Sequence, residues 1–158
     1  MDIKLHIDEV FQMAVQLEEN GAEFYQNAAR QADDKEVKAL LEKLADMEGE
    51  HKAIFEKMRA EMAATSDIES MFDPSGEAAK YLKSIVDTKV FFDETIDTSS
   101  LLETLREAVW REKDTVVFYL SIRLSMTEES SRLKLDKIIE EEMSHVRIIG
   151  EKLKELSE

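Results

Sequence analysis

Two E-x-x-H segments, Glu48-Gly49-Glu50-His51 and Glu142-Met143-Ser144-His145, lie 94 residues apart. Two glutamates upstream of them, Glu18 and Glu112, keep the same offset, as do Phe24-Tyr25 and Phe118-Tyr119. The overlay runs without a gap over residues 17–55, yet only eight of its 39 positions are identical: Glu18, Phe24, Tyr25, Leu41, Lys43, Glu48, His51 and Ile54. Duplicating a helical hairpin requires only the apolar positions to match. The retained polar residues need a separate cause, and carboxylates with imidazoles are a ligand set for divalent cations.

Helical spacing directs these side chains inward. Glu18 lies seven residues after Phe11 and seven before Tyr25, and Glu112 stands in the same relation to Leu105 and Tyr119. Residues three apart share a helix face, which puts Glu48 and His51 among Leu44 and Phe55, and Glu142 and His145 among Ile138 and Ile149. Four carboxylates gathered in a dry interior would be driven to protonate or would unfold the chain. Two divalent cations cancel those four charges. Each ion would take one histidine and one terminal carboxylate while the other two carboxylates bridge. Oxygen-rich ligands with imidazole suit iron or manganese better than copper, and zinc also binds such sets.

Other residues have plainer readings. Tyr25 and Tyr119 either donate a hydroxyl to a metal-bound carboxylate or relay an electron, or simply fill the core. Glu19, Glu23, Glu50 and Glu141 read as solvated helix charge, and His6 as an ordinary residue near a helix start. Trp110 and the methionines read as packing. Gly21, three after Glu18, serves either a small oxidant beside the metals or a close helix contact.

Long helices must position these groups. Apolar residues recur at three-to-four spacing over about 3–30 and 34–64, predicting an antiparallel helical hairpin over 3–64 with Asp33 and Glu36 as a capping box. A second hairpin spans 101–156, with helices over about 101–124 and 129–156, opened by Ser100 and Glu103. Between them, residues 65–100 form a crossover with turn-rich stretches and a short helical patch at about 77–86. That length allows the second and third long helices to run parallel in an all-α, single-domain bundle. Met71, Phe72, Tyr81, Phe91 and Phe92 are expected to cover a bundle face or a partner subunit.

Composition narrows the function classes. The chain has 158 residues, one proline, four glycines and no cysteine, so it carries no thiolate chemistry. Its formal charge of −15 argues against nucleic-acid partners and anionic membranes. No stretch reaches the length of an apolar span or signal segment, and a cytoplasmic protein is the expectation.

The pattern Glu18…Gly21…Tyr25, Glu48…His51, Glu112 and Glu142…His145 resembles the ferritin-like di-iron carboxylate proteins, above all the rubrerythrin type. The resemblance implies a ferritin-like four-helix bundle with a long crossover between helices 2 and 3. It also implies two iron ions on Glu18, Glu48, His51, Glu112, Glu142 and His145. The implied activity is a ferroxidase- or peroxidase-type oxidoreductase, oxidising Fe(II) with O2 or reducing H2O2. An external electron-donor protein and a homodimer go with it. Thr115 stands where rubrerythrins carry a further glutamate, which shifts the expectation from peroxide reduction toward ferrous oxidation. The competing readings are a non-enzymatic bundle with structural manganese or zinc, and an iron-storage protein.

Overall fold

A computed structural model describes residues 5–66, 72–73, 75–88 and 100–158. Five α-helices follow in order: α1 (Ile7–Gln31), α2 (Lys35–Ala63), α3 (Gly76–Thr88), α4 (Leu101–Ser125) and α5 (Glu129–Ser157). The 94-residue offset carries both ends of α1 onto those of α4, and both ends of α2 onto those of α5. The chain is thus two hairpins of matched length joined by a crossover.

The caps show why the helices start where they do. Asp34, not Asp33, caps α2, and its carboxylate accepts hydrogen bonds from the amides of Glu36 and Val37 at 2.9 and 3.0 Å. Asp33 lies a residue too early to reach those orphan amides. Ser100 caps α4 as the sequence suggests, accepting from the amide of Glu103. The side chain of Glu103 does not close a capping box; it pairs with Arg106 instead.

Two apolar clusters fix the helix directions. One joins Val10 and Phe11 of α1 to Met58 and Met62 of α2, Phe118 and Ile122 of α4, and Leu135 of α5. The other joins Ala28 to Val37, Leu41, Leu105 and Ile149. The C-terminal halves of α2 and α4 therefore share one end of the bundle, and these two helices run parallel. Phe72 is buried and bridges Met126 at that same end, with the Asp73 amide donating to the Ser125 carbonyl at 2.7 Å. Gly76 opens α3 at φ +87°, a conformation that disfavours any residue with a Cβ. Leu82 of α3 is fully buried, and Tyr81 packs beside it. Met71, Phe91 and Phe92 lie outside the described residues.

Trp110 departs from its reading as packing: it is 60% exposed, with the Lys113 ammonium over its ring at 4.2 Å. Val117, Leu120 and Leu124 of α4 and Leu133 and Met143 of α5 are exposed as well. The matched positions in the first hairpin hold Glu23, Gln26, Arg30, Ala39 and Gly49. The second hairpin alone presents large apolar side chains to its surroundings among the described residues.

Candidate metal centre

The two apolar clusters are separated by a polar layer. Glu18 of α1, Glu48 and His51 of α2, Glu112 of α4, and Glu142 and His145 of α5 are all buried, none more than 4% exposed. They form two overlapping groups whose ligand atoms lie within 4.8 Å of one another: Glu18, Glu48, His51 and Glu142, then Glu48, Glu112, Glu142 and His145. All six residues singled out by spacing come together. Glu48 and Glu142 belong to both groups, which puts them where bridging carboxylates would sit.

Their atoms are close without being mutually satisfied. His51 Nδ1 is 2.9 Å from Glu142 Oε1 and 3.6 Å from Glu18 Oε2. His145 Nδ1 is 3.0 Å from Glu142 Oε2 and 3.2 Å from Glu48 Oε1. Yet both Nδ1 atoms, both Glu142 oxygens, Glu18 Oε2 and Glu48 Oε1 lack an aligned hydrogen-bond partner among the described residues. Buried polar atoms left unpaired cost roughly 1–3 kcal/mol each. Six such atoms converging on one layer fit a pair of cations.

Electrostatics point the same way. Burial raises the Glu18 and Glu48 carboxyls, and the neighbouring Glu142 charge raises them further. Burial opposes charge on the imidazoles, but Glu142 and Glu18 overcome it for His51, pushed up to about 11. Glu112, Glu142 and Glu48 do the same for His145, pushed up to about 12. In the metal-free chain, protons do the neutralising that cations would otherwise do.

The tyrosines cross between hairpins. Tyr25 of α1 donates its hydroxyl to Glu112 of α4, and Tyr119 of α4 donates to Glu18 of α1. Both rings are buried, and burial with the facing carboxylate (Glu112 for Tyr25, Glu18 for Tyr119) raises each phenol well above its ordinary range. The hydroxyls therefore stay protonated and orient one oxygen of each terminal carboxylate. Two turns from its own hairpin's glutamate, each tyrosine serves the other hairpin's.

Gly21 has a definite structural reason. A Cβ there would stand 2.9 Å from Glu48 Oε2, so the glycine admits the carboxylate. Gly21→Ala is expected to weaken metal binding by about 10-fold, the scale of disturbing a ligand's surroundings. Helix propensity favours alanine by about 1 kcal/mol, so the metal-free chain should be no less stable. Calorimetry on the metal-free variant measures both effects.

A cleft of about 30 Å³ reaches the layer, lined by Gly21, Tyr25, Glu48, Arg111, Glu112 and Thr115, among others. That is room for one water-sized molecule. Arg111 is held over the Phe24 ring at 5.2 Å beside it.

Glu141 was not legible as a site residue. The sequence places it among solvated charges, but its Oε2 lies 2.7 Å from His51 Nε2 and its side chain is only 33% exposed. Inward spacing identified side chains that face the layer; a residue reaching a histidine from its outer edge follows a different periodicity. Glu19 instead meets Lys52 and Gln16 at the surface, as a solvated charge does.

Four antiparallel-paired helices around a buried layer of four carboxylates and two imidazoles define a ferritin-like di-metal carboxylate protein. The rubrerythrin family profile matches residues 9–153, and the chain belongs to that family. Its structure is similar to that of a Thermotoga maritima protein described as ferritin-like and diiron-carboxylate, with a TM-score of 0.71, 22% identity and 96% of each chain covered. No curated protein matches the chain. No helix among the described residues is long and apolar enough to cross a membrane.

Proposed function

We propose that the chain is a di-iron oxidoreductase that oxidises Fe(II) with O2, with H2O2 as the alternative oxidant. The observation that carries this reading is the cleft: it opens the Glu48 and Glu112 carboxylates to a small molecule, where a purely structural metal pair would be sealed. Two ferrous ions held there would supply one electron each to the oxidant. The residues do the rest. Glu48 and Glu142 hold the two positions at fixed spacing, and the anionic set favours the more highly charged ferric product. Tyr25 and Tyr119 keep Glu112 and Glu18 from rotating. The apolar clusters on both sides exclude bulk water. Thr115, which lines the cleft next to Asp114, supplies no carboxylate three residues after Glu112, which supports ferrous oxidation over peroxide reduction. With no cysteine among these 158 residues, they hold no thiolate-ligated iron to pass electrons to the layer.

Stopped-flow absorbance after mixing the anaerobic Fe²⁺-loaded chain with O2 tests the reading. Wild type should oxidise iron well above the buffer rate, and Glu48→Ala or His51→Ala should lower that rate by at least about 10-fold. A wild-type rate equal to the buffer control would assign the metals a structural role. Pairing with a second copy belongs to the same reading, supported by the exposed apolar face of α4 and α5. Sedimentation should show a dimer that Leu124→Glu with Leu133→Glu converts to monomer.

A further inference from the structure

The two halves of the centre share their ligands but not their surroundings. His51 Nε2 meets Glu141 Oε2 at 2.7 Å, while the other Glu141 oxygen lies 3.9 Å from Lys137 Nζ. His145 has no such support among the described residues, where its buried Nε2 meets no hydrogen-bond partner. The 94-residue offset explains the difference, since the position matching Glu141 is Met47, whose thioether is at best a weak acceptor and carries no charge. Openness differs as well. The cleft is lined by Glu112 and the shared Glu48, and by none of Glu18, His51, Glu142 or His145, so of the two terminal carboxylates only Glu112 meets it.

A carboxylate on the outer nitrogen of a metal-binding imidazole fixes its tautomer and ring orientation and raises its basicity; losing such a partner typically costs 10–100-fold in affinity. Accepting from Nε2–H leaves the Nδ1 lone pair of His51 for the centre. Among the described residues, no protein acceptor faces the Nε2–H that His145 carries when its Nδ1 binds a cation.

We propose that Glu141 is a positioning residue for His51 that makes the Glu18–His51 position the tighter of two unequal metal positions, leaving the Glu112–His145 position, beside the cleft, as the exchangeable one. This rests on the reading that the layer holds two divalent cations. The device is an asymmetry of side chains laid over a near-symmetric backbone.

Stepwise addition of Co²⁺ to the metal-free chain against a chromophoric chelator tests it, read by visible absorption without any turnover. Wild type should take up two ions with separate affinities. Glu141→Ala should weaken the tighter step by about 10–100-fold and leave the weaker one within about threefold, with Glu141→Gln, which keeps an acceptor, falling between. Met47→Glu should strengthen the weaker step. Equal affinities in wild type, or an equal loss at both steps in Glu141→Ala, would overturn the proposal while leaving the di-metal reading intact. Failure to bind Co²⁺ at all would overturn both.

Discussion

Glu142→Ala is expected to lower the uptake of both metal ions by at least about 100-fold, because even partners beyond the ligands are worth about 10–100-fold. Glu142 is fully buried and belongs to both ligand groups, with one oxygen facing His51 Nδ1 and the other His145 Nδ1. Removing it withdraws one donor atom from each position at once, together with the single negative charge they share. Glu18→Ala provides the contrast. Glu18 lies in one group only, so that variant should keep one ion per chain. Exposed Glu140, two residues away from Glu142, is the control and should change nothing when replaced by alanine. Elemental analysis of the purified variants counts the ions. Two ions per chain in Glu142→Ala would remove the bridging role.

Chelation is expected to lower the thermal midpoint by about 10 °C for each ion removed. A ligand present at 1,000 times its dissociation constant stabilises by about 4 kcal/mol, and each kcal/mol moves the midpoint by about 2–4 °C in a chain of this size. The effect is large because the layer that loses its cations divides the core between two apolar clusters. Its pH dependence has a definite sign. In the metal-free chain His51 and His145 are held up to about 11 and 12, above the ordinary 6.5, so the folded state binds more protons than the unfolded one. Their stabilisation is complete below about pH 6.5 and is lost as pH rises toward those values. Glu18 and Glu48, raised from 4.5, act in the same direction from lower pH upward. Metal affinity moves oppositely, since cations compete with these protons. The gap between loaded and metal-free midpoints should therefore be wider at pH 8 than at pH 6, as differential scanning calorimetry would record. A gap of zero at both would mean that the layer binds no cation.

Much of this follows from local rules. Helix periodicity located the long helices to within a few residues, because their apolar positions recur every three or four residues irrespective of partners. The same periodicity named all six carboxylate and imidazole side chains that meet in the buried layer, because a side chain's inward direction is set by its neighbours on one helix. The 94-residue offset extends that reach: it anticipates helices of equal length and matched termini.

Relations between helices were decided by tertiary structure alone. The crossing of Tyr25 to Glu112 and Tyr119 to Glu18 joins residues 87 and 101 positions apart, a distance over which no sequence period operates. Gly21 admits Glu48 rather than merely easing a helix contact, which only the approach of α1 to α2 could settle. Glu141 turns from a surface charge into a partner of His51 because α5 brings its edge alongside α2, 90 residues away. The amino-acid order determines which faces of each helix are apolar or charged, while the packing of those helices determines which atoms meet, and it is the meeting that distinguishes two otherwise matching halves.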